Sequence, residues 1–190
     1  MTPGRRETRR YAPPILIRPA EPADTDAVLD LLAHAAVRMA TIGIASWPAR
    51  FERAEVAGGI GRGEVSVAVI DGTVIGTFAL TWRDPTFWGE QPPDAGYVHR
   101  LAVHGDHARR GLGARLLDHA ARLTRERGRA RLRLDVPADN VALASYYERL
   151  GFAYCGDTEG DRAEADGSIA HWVTRRYERA VDVEGEEPCR

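Results

Sequence analysis

One stretch constrains the fold more than any other: residues 97–117, which read YVHRLAVHGDHARRGLGARLL. Its first part, with Val98, Leu101 and Val103, is an apolar run typical of a strand, and a polar turn follows it. From Leu112 onward, apolar residues recur at helical spacing. The stretch therefore predicts a strand, a basic turn that contains glycine, and a helix, in that order.

The turn has the chemistry of a phosphate-binding cradle. Arg109 and Arg110 precede Gly111 and Gly113, and glycine allows the backbone to approach a ligand closely. The first backbone N–H groups of a helix lack intrahelical partners and lie at the positive end of the helix dipole, which favours anions. A P-loop is excluded because the chain contains no lysine. The dinucleotide fingerprint is excluded because Leu116 stands where its third glycine belongs.

A second block, residues 140–152, reads NVALASYYERLGF. It resembles the helix-then-strand signature of the GCN5-related N-acetyltransferase (GNAT) superfamily, in which a tyrosine and then Gly-Phe follow an asparagine at fixed spacing; those positions hold Asn140, Tyr147, Gly151 and Phe152. The basic turn resembles the acyl-CoA pyrophosphate loop of the same family, Gln/Arg-x-x-Gly-x-Gly/Ala. It departs from that loop at Ala108, which still supplies a backbone N–H. The resemblance covers roughly residues 14–178, and its specific motifs lie within 97–152.

The resemblance implies a fold, an activity and a cosubstrate. The expected fold is α/β, an α+β mixed sheet that is mostly antiparallel, splayed at the cofactor site and flanked by about four helices. The expected activity is transfer of an acetyl group from acetyl-CoA to a primary amine of a small molecule or peptide, by direct attack in a ternary complex. The residues expected to bind acetyl-CoA are Leu101, Ala102, Val103, Ala108, Arg109, Arg110, Gly111, Leu112, Gly113, Ala114, Asn140 and Tyr147.

Acetylation of an amine needs a base and benefits from an acid. The base is needed because an alkylammonium, with a pKa of about 10, is not nucleophilic at neutral pH. By resemblance Tyr147 is the acid for the leaving thiolate, and the alternative is a helix tyrosine that only closes the core. His99 is the candidate base, directly or through water, because histidine titrates near neutrality; a structural histidine is the alternative. Glu90 is the second candidate for the base.

Four other segments carry predictions of their own. The loop at 83–94 has three acidic residues against one arginine and exposed aromatics, which would suit a cationic amine; an ordinary solvated loop is the alternative. Trp47 and Phe51 either line a substrate pocket or belong to the core. Residues 129–136 alternate arginine with apolar residues and predict a half-exposed strand, and 157–167 predict an acidic hairpin loop.

Composition limits the partners. A net charge of −2 over 190 residues gives no reason to expect nucleic-acid binding. Two cysteines are too few for a disulfide framework, which favours a reducing cytoplasm. No apolar run approaches the ~20 residues that span a membrane, so no membrane partner is expected. The histidines show no metal-ligand spacing, so no metal site is predicted.

The predicted domain organisation is simple. Residues 1–13 form a disordered basic tail, 14–178 the acetyltransferase domain, and 179–190 an acidic C-terminal tail. Two other functions stay open: a non-catalytic acyl-CoA-binding or regulatory module, and a nucleic-acid partner that acts through the arginine-rich segment Arg5–Arg10 and the arginines of 122–133. A homodimer is compatible with the family, although no residue pattern indicates an interface.

Overall fold

The computed structural model describes residues 14–44, 47–163 and 168–181, so the predicted basic tail 1–13 lies outside the described residues. None of the described helices is long and apolar enough to cross a bilayer. The described residues form seven strands and five α-helices: β1 (Leu16–Pro19), α1 (Thr25–Ala40), α2 (Arg53–Gly61), β2 (Val65–Ile70), β3 (Thr73–Thr81), α3 (Pro85–Trp88), β4 (Ala95–Val103), α4 (Leu112–Glu126), β5 (Arg131–Pro137), α5 (Val141–Arg149), β6 (Ala153–Ala163) and β7 (Ile169–Ala180).

All seven strands belong to one sheet, in the order β1-β2-β3-β4-β5-β7-β6. Every neighbouring pair is antiparallel except β4 and β5, which confirms the predicted mixed, mostly antiparallel sheet. Because side chains alternate across a strand, β2, β3 and β4 contribute to two cores. One core packs α4 and α5 against the sheet, and the other packs α1 and α2 against the opposite face.

The two parallel strands separate before they end. Their pairing stops at Val98 and Leu134, although β4 continues to Val103 and β5 continues to Pro137. Each strand keeps its other neighbour over this length, β3 for β4 and β7 for β5. The sheet therefore opens between the carboxyl ends of β4 and β5, as the resemblance implies.

A β-bulge in β4 accompanies this opening. Ala79 of β3 pairs with His99 and Thr77 pairs with Ala102, so Arg100 and Leu101 together oppose one residue. Arg100 has a left-handed backbone, with φ +53°. A bulge bends its strand and increases the local twist. The bulge therefore turns the end of β4 away from β5.

Two predictions about the C-terminal part were wrong. The acidic segment 157–167 is not all loop, because β6 continues through it to Ala163; residues 164–167 lie outside the described part. The domain also does not end at residue 178. Strand β7 runs to Ala180, and the buried Val181 donates its N–H to Ala130 O over 2.8 Å. Pairing with a neighbouring strand outweighs the polar composition in both places, and residues 182–190 lie outside the described part.

The prediction that β5 is half-exposed was wrong for Arg133, because Trp88 and Tyr97 cover its side chain. The Arg133 side chain is only 6% exposed. Its Nε donates to Glu178 Oε2 at 2.7 Å, and its Nη1 donates to Tyr97 Oη at 2.8 Å. Its guanidinium lies 4.9 Å from the centroid of the Trp88 ring. A buried charge is tolerated when it is paired and hydrogen-bonded in this way.

Replacing Arg133 with alanine should lower the free energy of unfolding by about 3 kcal/mol, because it leaves a largely buried Glu178 carboxylate short of a partner. The matched control is Arg131→Ala, since Arg131 pairs with the same Glu178 and with Asp94 but is 48% exposed. The control should lose less than about 1 kcal/mol. Urea denaturation of both variants measures the difference, and equal losses would contradict the buried network.

Candidate functional site

The start of α4 is uncapped. Gly111 is the N-cap residue, with φ +79°, and no side chain caps the helix there. The first intrahelical bond runs from Arg115 N to Gly111 O over 3.1 Å. The N–H groups of Leu112, Gly113 and Ala114 therefore have no partner within the helix. These three donors point out of the helix start, where an anion would be stabilised by the helix dipole.

Two cations flank these donors. Arg109 and Arg110 are exposed, and within the described residues neither guanidinium makes an ion pair or a hydrogen bond. Arg109 has a left-handed backbone, with φ +60°. Ala108 precedes it, at the end of a single 3₁₀ turn. The turn therefore has the charge and the free donors of the predicted phosphate-binding cradle.

Gly113 has a steric reason to be glycine. A Cβ atom at this position would lie 2.7 Å from Tyr146 Oη, closer than carbon and oxygen approach without a shift. Tyr146 belongs to α5, so the second motif block packs directly against the first turn of α4. The two blocks that were recognised separately in the sequence are thus parts of one site.

The open edge of β4 supplies backbone groups to the same region. His104 N donates to Ile75 O on β3 at 2.9 Å, and backbone groups along an antiparallel strand alternate in direction. Val103 therefore turns its N–H and C=O away from β3, and its carbonyl accepts from Arg38 at 3.2 Å. Ala102 pairs with Thr77 on β3 and buries its side chain in the α1–α2 core. Of these two neighbours, Val103 is the one whose N–H faces the opening.

Asn140 and Tyr147, at the start and within α5, are both buried. Asn140 Oδ1 accepts from Leu143 N at 3.1 Å and caps α5, while its amide nitrogen has no partner among the described residues. The Tyr147 ring packs against Phe152, and within the described part its hydroxyl makes no hydrogen bond. Burial, with smaller effects of Tyr146 and Asp135, raises the pKa of Tyr147. The phenol is therefore neutral and able to donate a proton.

A cluster of three titratable side chains lies where β4 and β5 separate. It consists of Asp84, His99 and Asp135, and one polar atom of each lies within 4.8 Å of those of the others. His99 Nε2 is 3.9 Å from Asp84 Oδ2 and 3.1 Å from Thr81 Oγ1. The structure thus brings the predicted base, His99, together with two carboxyl groups from other segments.

The contacts of His99 indicate its tautomer. Thr81 Oγ1 also lies 3.2 Å from Arg83 O, a carbonyl that can only accept. Both contacts are satisfied when the Thr81 hydroxyl donates to that carbonyl and Nε2–H of His99 donates to Oγ1. Burial lowers the pKa of His99, although the Asp84 carboxylate opposes this effect. The imidazole is therefore neutral, and its Nε2 holds a proton rather than receiving one.

Asp135 is better suited than His99 to receive a proton. Burial, reinforced by the charge of Asp84, raises the pKa of Asp135 to about 7. A general base works best when its pKa lies near the working pH. Asp135 could not be predicted as a site residue from a strand pattern that indicates half exposure. The one signal available was an acidic residue interrupting the alternation of arginine and leucine.

The loop at 83–94 differs from its prediction. Glu90, the second candidate base, is 79% exposed and pairs with Arg83 at 3.1 Å on the surface. The aromatics of the loop are not exposed, since Trp88 is buried against Tyr97 and Phe87 packs against Trp172 of β7. The residue of this loop that joins the cluster with His99 and Asp135 is Asp84, which is buried. Trp47 and Phe51 are half-buried beside the α1–α2 core, which leaves both of their interpretations open.

Comparison with known proteins identifies the relatives of the chain. Residues 34–152, which include both motif blocks, match the Acetyltransferase (GNAT) family. YesJ of Bacillus subtilis (strain 168), an uncharacterised N-acetyltransferase, is 31% identical over 165 residues, which cover 82% of this chain and 91% of that protein.

Solved structures agree with the fold. A GNAT-family acetyltransferase from Streptococcus agalactiae 2603 has a TM-score of 0.70 and 22% identity, covering 90% of this chain and 98% of its own. A putative acetyltransferase from Salmonella typhimurium, solved with its cofactor acetyl-CoA, has a TM-score of 0.67 and 20% identity, covering 93% of this chain and 99% of its own.

Replacing Asp135 with asparagine should change how stability depends on pH. The raised pKa means that folded protein retains a proton that the unfolded chain releases above a pH of about 4. The carboxyl therefore destabilises the fold increasingly as the pH rises toward 7. Between about pH 5 and about pH 8, the unfolding free energy of the wild type should fall by about 2–3 kcal/mol relative to that of the variant.

Urea unfolding at a series of pH values measures this difference. His99 is present in both proteins, so its own titration is largely removed by the comparison. Parallel curves for the two proteins would show that the Asp135 carboxyl titrates normally.

Proposed function

Because the chain belongs to the acetyltransferase (GNAT) family and is an N-acetyltransferase, we propose that acetyl-CoA binds between β4 and β5 and that Asp135 receives the proton of the acceptor amine. The observation that carries this proposal is the position of a carboxyl group with a pKa of about 7 at the separation of these strands. A non-catalytic acyl-CoA-binding module has no need for a carboxyl group with such a pKa. This favours an enzyme over the binding module.

The residues of the cradle fit the chemistry of acetyl-CoA. The uncapped N–H groups of Leu112, Gly113 and Ala114 are donors for a pyrophosphate, and Arg109 and Arg110 supply the positive charge. The open edge at Val103 offers backbone groups to the amide-rich pantetheine arm. The free amide nitrogen of Asn140 is a further donor. No part of this assignment requires a side chain to move into the cleft.

At the acceptor, the first step is loss of a proton from the protonated amine. Asp135 takes this proton and becomes a neutral acid, which its raised pKa favours. His99 does not compete for the proton, because its pKa is lowered and its Nε2–H is engaged by Thr81. We assign His99 a structural role, because its Nε2–H is bound to Thr81 Oγ1. The neutral amine that results is the nucleophile.

The transfer itself balances with the groups present. Acetyl-CoA supplies the acetyl thioester; the amine nitrogen forms a bond to the acetyl carbon, and the bond from that carbon to sulfur breaks. Tyr147 gives its hydroxyl proton to the leaving thiolate and regains one from the amine nitrogen. The net products are the N-acetylated amine, the free thiol and the proton that Asp135 passes to solvent. The described cysteine, Cys155, lies on β6 with a pKa raised by burial, which favours direct attack over a covalent intermediate.

The cytoplasmic location and the homodimer stay predictions from the sequence. The acceptor is a primary amine. Residues outside the cluster of Asp84, His99 and Asp135 determine which primary amine binds.

Replacing Gly111 with aspartate should reduce acetyl-CoA affinity by roughly a hundredfold or more, because it adds a carboxylate beside the N–H groups that bind the pyrophosphate. The matched control is Gly72→Asp in the turn between β2 and β3. Gly72 has φ +78° against +79° for Gly111, and a Cβ atom meets nothing within 4 Å at either position. Both variants therefore carry the same backbone strain.

Isothermal titration with acetyl-CoA measures this loss, and thermal melting checks that both variants fold. Undiminished affinity in the Gly111 variant, or an equal loss in the Gly72 variant, would remove the cradle from the acetyl-CoA site.

Replacing Tyr147 with phenylalanine should lower kcat by about a hundredfold and leave acetyl-CoA affinity unchanged, because the hydroxyl acts on the leaving thiolate and not on the bound thioester. Tyr146→Phe is the control: it is the adjacent residue and tests the assignment of the motif spacing. Release of the CoA thiol with a panel of primary alkylamines gives the rates. If Tyr146→Phe shows the larger loss, the acid has been assigned to the wrong tyrosine.

A further inference from the structure

One oxygen atom in the cluster of Asp84, His99 and Asp135 lacks a hydrogen-bond partner within the described residues. The Asp84 side chain is 6% exposed, and its Oδ1 accepts from Phe87 N at 3.3 Å as the cap of α3. Its Oδ2 is buried and makes no hydrogen bond within the described residues. Leaving a buried carboxylate oxygen without a donor is costly, so such a group in a native fold points to a missing partner.

The neighbouring cations do not fill this role. Arg83, one residue earlier, reaches outward to Glu90 on the surface. Arg100 pairs with Glu55 of α2 and lies 4.8 Å from the centroid of the Phe51 ring. His99 is neutral. Arg176, opposite Asp135 on β7, donates to Cys155 O at 3.4 Å and makes no ion pair with either carboxyl among the described residues. Two carboxyl groups thus face the cluster without a paired guanidinium.

The hydrogen bonding of His99 favours an organic ammonium over a metal ion at the cluster. An ammonium that donates two hydrogen bonds of ordinary length at the tetrahedral angle places its acceptors about 4.6 Å apart. Ligands of a tetrahedral zinc lie only about 3.3 Å apart. The polar atoms of the cluster lie within 4.8 Å of one another, and His99 Nε2 is 3.9 Å from Asp84 Oδ2. The 3.9 Å distance lies between these two spacings, so it is the proton on His99 Nε2, which cannot ligate a metal in that form, that favours the ammonium.

We infer that Asp84 Oδ2 binds the protonated amino group of the acceptor and holds it beside Asp135, so that the enzyme selects cationic primary alkylamines over uncharged nucleophiles. The inference rests on the proposed function and specifies its acceptor. The ammonium bridges the two carboxyl groups, Asp135 removes one proton, and Asp84 keeps the nitrogen in place. Asp84 is therefore a positioning residue that also sets charge specificity.

Asp84→Asn is the variant that tests this inference. Asparagine keeps an oxygen that can cap α3 but removes the negative charge from the buried end of the side chain. Asp30→Asn is the control, since Asp30 is an exposed carboxylate of α1, on the same side of the sheet, that pairs only loosely with Arg50 at 3.6 Å. Both variants lose one negative charge.

The first measurement is steady-state kinetics at about pH 7.5, with n-butylamine as the cationic acceptor and hydroxylamine, which is mostly uncharged there, as the neutral one. Asp84→Asn should raise the KM for n-butylamine by roughly tenfold or more and leave the KM values for hydroxylamine and acetyl-CoA near those of the wild type. Asp30→Asn should leave all three unchanged. An equal rise for both acceptors would overturn the charge specificity.

The second measurement needs no turnover. The melting temperature of the wild type should rise with n-butylammonium chloride and not with n-butanol, and the rise should be absent in Asp84→Asn. Without amine, Asp84→Asn should melt no lower than the wild type, because the unpaired charge is gone. Stabilisation by zinc chloride in place of the ammonium, lost in the same variant, would assign the cluster to a metal and overturn the inference.

Acetyl-CoA separates this inference from the proposed function. If acetyl-CoA stabilises the wild type and Asp84→Asn equally while the ammonium stabilises neither, only the role of Asp84 fails. If acetyl-CoA does not stabilise the wild type, the proposed function is wrong, and the inference about Asp84, which rests on it, is wrong as well.

Discussion

The separation of β4 from β5 is the constraint on which the site depends. Had the two strands stayed paired beyond Val98 and Leu134, the backbone groups of β4 that face the opening would bond to β5, and no ligand could reach them. The bulge at Arg100 prevents this pairing, and its left-handed backbone is held by the ion pair with Glu55 and by the Phe51 ring. A local distortion in one strand thus creates both the binding edge and the space for Asp135.

The parts of the site that the sequence predicted are the local ones. The cradle and the cap of α5 lie within short segments whose backbone geometry follows from glycine, helix spacing and the capping asparagine. Their chemistry depends on residues that are close in sequence, so it can be predicted without knowing which distant residues lie nearby. The mixed sheet and its opening followed from the family resemblance and not from periodicity.

The parts that could not be predicted depend on which strands become neighbours. Alternation assigns Arg133 and Asp135 to one face of β5, but it does not tell whether water or other protein covers that face. Strand β7 inserts beside β5, and the 83–94 loop packs over the face that carries Arg133 and Asp135. Arg133 is therefore part of a buried ion network, and the pKa of Asp135 is raised. Asp84 joins the cluster in the same way, from a loop that its composition describes as solvated.

The position of β7 in the sheet affects the order in which the nascent chain can fold. Ribosomes make proteins from the amino terminus, and Asp135 pairs with Arg176, about forty residues later. Until that segment emerges, β5 has an open hydrogen-bonding edge, and β6, whose neighbour in the described sheet is β7, has no strand beside it. The cofactor loop and α4 can fold early. The part of the site that contains Asp135 cannot form until β7 inserts between β5 and β6. During that interval the unpaired strand edges are available to chaperones.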